Sequence, residues 1–436
     1  MVEDTREALD DLPALLASLA GAPALAGYDT RLILPREPEP VDLLEAARAA
    51  LQRPVGSPRL SELAAGRRSA VIVTSDTTRA VPNKVLLPLV LAELQAGGIS
   101  EADITVLIAL GAHRPLARSE LAELLGGELV DRVNVLNHDP RGPLGAVGAT
   151  SSGNELRVAQ AFVEAELRVA LGLVEPHEFA GFTGGGKAVL PGIAGHDSII
   201  RNHSLDLLRQ PGARAGEVAV NPIRQEMDEA ARLAGLQFIL NVVLDGRLRP
   251  LAVAAGDAIR AHGELVQFVR AYASVSPPTD VERPHEPPDL IVTGPGEPLD
   301  VNLYQSIKAL VAVEPWVDAA SSVALLARCH EGDGSSEMIE PFLGGGTPEE
   351  VIERLPAEYT IEKDHSYFIA RFLSHCPRVT ACCPGVAAEK LATLGFVAGS
   401  TVSDALSRAG GHGTRRSRPL AVLFPSPQRF LLGPWR

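Results

Sequence analysis

SAVIVTSDTTRAVPNKVLLPLVLAELQAGGISEADITVLIAL, residues 69–110, decides the fold. Residues 69–74 (SAVIVT) form a short apolar run rich in β-branched side chains, the pattern of a strand buried on both faces. Asn83–Ala96 follows with the composition of a helix, and residues 104–110 (ITVLIAL) read as a second buried strand. Strand, loop, helix and strand in that order describe a crossover unit with parallel strands. The rhythm continues outward. Residues 167–174 and 237–244 read as further strands and 257–272 as a helix. Beyond them, 289–293, 322–327, 378–382 and 420–424 read as strands, with a helix over Leu303–Val313. The expected fold class is therefore α/β: two α/β domains with mostly parallel sheets.

At 436 residues the chain exceeds what a single core usually organises. One composition shift supplies a boundary. Residues 274–288, SVSPPTDVERPHEPP, hold five prolines, and neither a helix nor a central strand runs through such a stretch. We read residues 1–273 as an N-terminal α/β cofactor-binding and catalytic domain, 274–288 as a Pro-rich linker, and 289–436 as a C-terminal α/β domain. In two-domain α/β proteins the active site is expected in the interdomain cleft.

The net charge of −14 disfavours wrapping a phosphate backbone, so nucleic acid is not an expected partner. The acidic N-terminus lacks the basic region of a signal peptide, and no apolar run approaches bilayer-spanning length. No membrane partner is expected. Four cysteines, none at CxxC spacing, cannot staple a chain of this size, which fits a reduced, cytoplasmic setting.

In open α/β sheets, ligands meet the loops that leave the carboxyl ends of strands. Three such loops are polar: Ser75 to Arg79, Gly111 to Pro115, and Glu175 to Phe179. A carboxylate or imidazole in one loop also serves as a cap or turn former, but three in register point to a site. The densest signal is residues 176–203, PHEFAGFTGGGKAVLPGIAGHDSIIRNH. Its glycines imply close backbone approach or positive φ, with a bound phosphate or cofactor as the candidate. Residues 181–187 satisfy GxxxxGK, yet Ala188 stands where a nucleotide triphosphatase places a magnesium-binding Ser or Thr. His177 and His203 are open between metal ligand, general base and structural roles, and Lys187, in a Gly-rich loop, is free to be desolvated and nucleophilic. On the helix at 303–313, Tyr304 and Lys308 share a face with Gln305 beside them, a grouping that suits a carboxylate. Cys329 and His330, in a Gly-rich acidic turn, stay unassigned.

Taken together these stretches resemble the nickel-pincer nucleotide-dependent lactate racemase family of 2-hydroxy-acid racemases and epimerases. The DxTR motif appears as Asp76, Thr77, Thr78 and Arg79, GxHRP as residues 111–115, and NHD as Asn137, His138 and Asp139. The PHxFAGxxGGxK signature covers residues 176–187, followed by LPGIAG at 190–195 and by Asn202 and His203. YQSxK covers residues 304–308. The resemblance implies that Lys187 carries a covalent nickel-pincer nucleotide, a pyridinium-3-thioamide-5-thiocarboxylic acid mononucleotide, and that His203 ligates its Ni. It implies His113 and His177 as the catalytic bases. It nominates Asp76, Thr78, Gly184, Gly185 and Gly186 for cofactor binding, and Arg79, Tyr304, Gln305 and Lys308 for the substrate. The implied partners are a small anionic 2-hydroxy acid and the accessory proteins of cofactor synthesis. His196, an extra imidazole near the site, is open between tuning the metal and simple exposure.

Chemistry agrees with the resemblance. The C–H of a 2-hydroxy acid is too weakly acidic for easy removal by a histidine. Departure of that hydrogen as hydride, while a base takes the hydroxyl proton, gives a 2-oxo acid that can be reduced on its other face. Two opposed bases are then needed, and His113 and His177 are expected on adjacent loops. The expected reaction is racemisation or epimerisation at C2 by proton-coupled hydride transfer. The alternative is a phosphate- or nucleotide-binding hydrolase or kinase-like enzyme using the GxxxxGK loop.

Overall fold

The computed structural model describes residues 9–34, 36–357, 359–410 and 416–435. The chain divides into two compact units, Glu37–Tyr272 and the combination of Met1–Arg36 with Ala273–Arg436.

The first unit is built on a six-stranded sheet in the order Pro250–Gly256, Phe238–Leu244, Leu167–Leu173, Ala70–Ser75, Ile104–Ala109, Asn134–Asn137. All neighbours are parallel except Pro250–Gly256, an antiparallel edge strand. Val71, Ile72, Val73, Val169, Leu240 and Val242 are fully inaccessible, as continuous apolar runs in a sheet covered on both faces require. The helix Asn83–Ala96 makes the crossover between Ala70–Ser75 and Ile104–Ala109 and buries Leu86, Leu87, Val90 and Leu94. Because parallel strands all leave the sheet at one end, the loops after Ser75, Ala109 and Leu173 emerge side by side in sheet order.

The second unit is also built on a six-stranded sheet, in the order Asp29–Leu32, Leu420–Pro425, Leu290–Gly294, Ser322–Leu326, Val379–Cys382, Val397–Ala398, parallel throughout. Here the expected domain division is corrected. Residues 1–36 belong with the C-terminal unit, because Asp29–Leu32 pairs with Leu420–Pro425 and the helix Leu12–Leu19 buries Leu12 and Leu16 against Leu290, Val292, Ala421 and Leu423. Burying each leucine stabilises that attachment by about 1.5–3 kcal/mol.

The Pro-rich stretch 274–288 is not a bare linker either. Ser274–Val275 pairs in parallel with Leu431–Leu432. The buried Arg416 then donates to the carbonyls of Glu282, Arg283, Glu286 and Pro287 and pairs with Asp289 at 2.8 Å. Prolines leave a segment short of donors, so one guanidinium supplies what the backbone lacks. No helix among the described residues is long and apolar enough to cross a membrane.

Candidate functional site

The loop after the strand Ala70–Ser75 stands between the other two, since that strand lies between Leu167–Leu173 and Ile104–Ala109. The expectation that His113 and His177 sit on adjacent loops is corrected accordingly: their loops flank the one carrying Asp76 to Arg79. That central loop reaches both ways. Asp76 Oδ2 accepts from His113 Nδ1 at 2.6 Å, and Arg79 Nε lies 3.7 Å from Glu175 Oε1.

Asp76 is buried, which alone raises a carboxyl pKa. The attraction and hydrogen bond of His113, the Thr78 hydroxyl and Arg79 outweigh that cost and bring it down to about 2. An ionised Asp76 only accepts, so His113 carries its hydrogen on Nδ1 and presents the Nε2 lone pair. The His113 side chain is 45% exposed while that of Asp76 is 7% exposed. An imidazole backed by a carboxylate in this way has the arrangement that a general base requires. Thr78 donates both its N–H (3.0 Å) and its hydroxyl (2.6 Å) to Asp76 Oδ1. The structure thus ties Asp76 and Thr78, nominated for the cofactor, to the orientation of His113.

His177 repeats the arrangement in a more buried setting. Lys187 Nζ lies 2.6 Å from Nε2, and Glu178 Oε2 lies 3.2 Å from Nδ1 with both side chains almost inaccessible. The Ala180 N–H also points at Nδ1, from 3.4 Å. The nearby carboxylate favours hydrogen on Nδ1, which leaves Nε2 to accept from the lysine. Phe179 packs its ring edge-on against His177 and His203, with centroids 4.7 and 4.9 Å away, and Lys187 Nζ sits 5.4 Å from the same ring. Phe179 thereby gathers His177, Lys187 and His203 around one aromatic ring.

His203 is the C-cap of the helix His196–Asn202. Asn202, fully buried, donates to Glu226 at 2.7 Å and to the Ile223 carbonyl, which anchors the helix end bearing His203. His196 is half-buried at the other end of that helix, with Asp197 3.7 Å from its Nδ1.

The glycines before Lys187 show the close approach and positive φ expected of them, and the approach is to neighbouring protein groups. A Cβ at Gly184 would meet Asn241 Oδ1 at 2.9 Å and the Leu173 carbonyl at 3.0 Å, one at Gly185 would meet Arg224 and His262, and one at Gly186 the Met227 carbonyl at 2.5 Å. Gly184 and Gly185 also have positive φ. Close packing against protein therefore accounts for all three, and the Gly185 N–H is committed to Asn241 Oδ1 at 2.9 Å. Behind the loop, the inaccessible Arg224 donates to the carbonyls of Phe182 and Gly184 and pairs with Asp228 at 2.8 Å. His262 donates Nε2–H to the Thr183 carbonyl and accepts from Arg224. Burial, and then Arg224, push its pKa well below the usual imidazole range, so it stays neutral. The alternative reading as a phosphate-binding GxxxxGK loop lacks its geometry. A single 3-10 turn, Gly185–Ala188, follows the glycines, and the next helix starts only at His196.

The NHD turn is structural. His138 is buried with its pKa lowered by that burial, and Nε2 donates to the Ala194 carbonyl at 2.9 Å. Asn137 clamps both backbone groups of Leu116, next to the GxHRP loop.

In the second unit, the helix Leu303–Val313 carries Tyr304, Gln305 and Lys308, the last two buried. The Tyr304 hydroxyl donates to Asp364 Oδ1 at 3.0 Å, and its ring stacks on His365 at 3.8 Å. His365 Nδ1 lies 2.6 Å from the same Asp364 oxygen. Sequence reasoning missed Asp364 and His365; an Asp-His pair opening a helix was their only signal. Cys329 is a buried free thiol beside Ser306. Burial pushes the Cys382 thiol up to about 11, and a Cys329 hydrogen bond followed by burial pushes Cys383 well above the usual thiol range.

The donor set around Phe179 fits the group that the family resemblance implies. Among the described residues no cluster of three or more His, Cys, Asp or Glu is arranged to hold a metal ion. What Phe179 gathers is one amine and buried imidazoles. That set suits a group that is tethered through its acyl carbon, brings most metal donors itself and asks the chain for one more.

The chain matches the family described as "Lactate racemase N-terminal domain" over residues 27–216 and "Lactate racemase C-terminal domain" over residues 284–422. The lactate racemase of Thermoanaerobacterium thermosaccharolyticum is 37% identical over 314 residues, covering 71% of this chain and 72% of that protein. The lactate racemase of Lactiplantibacillus plantarum is 34% identical over 312 residues, with the same coverage of 71% and 72%. Among solved structures, the lactate racemase apoprotein of Thermoanaerobacterium thermosaccharolyticum superposes with a TM-score of 0.82 at 31% identity, over 89% of this chain and 92% of that one. A crystal structure of a Thermotoga maritima protein, 17% identical, has a similar fold, with a TM-score of 0.67 over 91% of this chain and 99% of that one.

Proposed function

Because the chain belongs to the lactate racemase family and is an isomerase of the racemase class, we propose that it inverts C2 of a small 2-hydroxy acid by proton-coupled hydride transfer. The observation that carries this reading is the pair of carboxylate-backed imidazoles, His113 with Asp76 and His177 with Glu178, on the loops either side of Arg79. Racemisation needs a base for each enantiomer, and two carboxylate-backed imidazoles supply the pair.

When bound, a nickel-pincer nucleotide supplies the electrophilic centre that accepts hydride. We assign Lys187 as its covalent tether and His203 as its protein ligand to nickel, with the group delivered by cofactor-synthesis proteins. One imidazole removes the hydroxyl proton through Nε2 as C2 loses its hydrogen, which leaves a planar 2-oxo acid. Return of hydrogen to the opposite face, with the second imidazole, which enters the cycle protonated, giving its Nε2 proton to oxygen, completes the inversion. Asp76 and Glu178 stabilise the imidazolium formed at each stage and hold each ring in orientation. Arg79 is assigned to the substrate carboxylate, where a guanidinium can bind both oxygens, and Tyr304, Gln305 and Lys308 are assigned to substrate binding. The names of the curated relatives support lactate or a close analogue as substrate. The four buried free thiols support a reducing, cytoplasmic setting.

The test uses protein co-expressed with cofactor-synthesis proteins and 2-deuterated D- or L-lactate in ordinary water. Hydride transfer predicts that the deuterium stays on C2 of the inverted product. Washout of the label into solvent overturns the hydride mechanism, and absence of a mass adduct on Lys187 overturns the tether.

A further inference from the structure

Glu178, His177 and Lys187 stand in line: Glu178 Oε2 is 3.2 Å from His177 Nδ1, and His177 Nε2 is 2.6 Å from Lys187 Nζ. The His177 and Glu178 side chains are 5% and 7% exposed, so water competes little for either contact. A nucleophile, a base and a carboxylate that orients the base constitute the minimal machinery of acyl transfer. Racemisation needs the imidazole but gives no reason for its lone pair to be spent on a lysine. Glu178 occupies the unspecified position of the PHxFAG motif, so the motif itself does not account for its contact with the imidazole.

We infer that His177, backed by Glu178, is the general base that activates Lys187 toward an acyl or thioacyl carbon bearing a leaving group, so that the chain promotes its own covalent loading. This rests on the reading of Lys187 as the tether. In the step, the Lys187 ammonium first releases one proton to water, and the amine nitrogen then forms a bond to the acyl carbon and loses a second proton to His177 Nε2. The carbon–leaving-group bond breaks, and the same proton departs with the leaving group. Nothing is oxidised or reduced. Loading also has a second effect. Once Lys187 is acylated, a single neutral amide N–H replaces its ammonium, which weakens the hold on Nε2 and leaves the imidazole freer to meet the substrate hydroxyl. Loading therefore precedes turnover in a built-in order.

The experiment uses the full-length protein without adduct, trace acetic anhydride as the acyl donor, and peptide mass spectrometry to read acetylation of Lys187 against the exposed Lys84. His177→Gln is expected to lower the Lys187 to Lys84 ratio by roughly a hundredfold, the low end for a positioned general base. Glu178→Gln is expected to lower it by a smaller factor. Imidazole added to the buffer is expected to restore labelling in His177→Gln. A ratio unchanged in both variants overturns the proposal. So does a fall that imidazole leaves untouched, since that marks a structural role. Should His177→Gln fail to fold, Glu178→Gln and the pH dependence of wild-type Lys187 labelling carry the test, and a pH profile that matches that of Lys84 overturns it. The assay needs neither nickel nor nucleotide, so its failure leaves the racemase reading standing. Conversely, activated labelling without an adduct in co-expressed protein overturns the tether and with it the loading role, while the activation of Lys187 by His177 stands.

Discussion

Asp76 accepts the Nδ1–H of His113 at 2.6 Å while its other oxygen accepts both the N–H and the hydroxyl of Thr78. One carboxylate thus sets the tautomer of the exposed base and is itself locked two residues along the chain. Asp76→Asn keeps the size but offers an amide to an imidazole that needs an acceptor, and the ring is free to flip or change tautomer. Racemisation is expected to fall by about 100-fold or more, a typical loss for a misaligned general base. Initial rates from each enantiomer check this.

The same carboxylate makes stability depend on pH in a defined window. Against the upward push of burial, the contacts of His113, Thr78 and Arg79 hold the folded Asp76 carboxyl down to about 2, below the ordinary aspartate value of 3.8. Its depressed pKa therefore stabilises the fold above 3.8, and that stabilisation is lost as pH falls through 2. The gap corresponds to about 2 kcal/mol. Urea unfolding of wild type and Asp76→Asn should converge by about that amount between about pH 5 and about pH 2. A stability difference that stays constant over that range would contradict the assigned ionisation.

Arg224 braces the loop that presents Lys187 and is itself wholly buried with Asp228. Arg224→Met leaves that carboxylate without its cation and two loop carbonyls without donors. A cost of about 3–5 kcal/mol is expected, measured by urea unfolding. Because Gly186 faces the Met227 carbonyl of the same helix, Gly186→Ala should cost about 1–3 kcal/mol through overpacking.

Arg416 satisfies carbonyls of the Pro-rich stretch from a position more than a hundred residues downstream. Arg416→Met should release that segment. Amide exchange at Glu282, Arg283 and Glu286 is expected to accelerate by at least tenfold, roughly a 1.4 kcal/mol loss of local protection. Unchanged exchange would mean that the strand Ser274–Val275 alone holds the segment.

Much of the fold was legible because buried parallel strands announce themselves as apolar β-branched runs. The helices Asn83–Ala96 and Leu303–Val313 fall where their patterns place them, and the strands read at 104–110 and 167–174 differ from Ile104–Ala109 and Leu167–Leu173 by one residue at the end. Residues 29–32 were not legible. DTRL has neither a long apolar run nor clear alternation, and its role depends on an edge offered by a strand some four hundred residues away. Asn202 shows the same limit at the site, since nothing local to it reveals that Glu226 holds the helix bearing His203.

The sequence by itself determined the α/β class, the loops at the carboxyl ends of strands, and the residues His113, His177, Lys187 and His203 as a set worth assembling. Those are local matters of hydrophobic period, turn chemistry and motif spacing. Only the tertiary structure decided what each member touches. Asp76 and Thr78 turn toward His113, Glu178 and Lys187 occupy the two nitrogens of His177, and the glycines before Lys187 yield to Met227, Asn241, Arg224 and His262. The N-terminal segment joins the far end of the chain for the same reason. Hydrogen bonds and close packing act through space over a few ångströms, and the chain brings such partners together only when both sheets have formed.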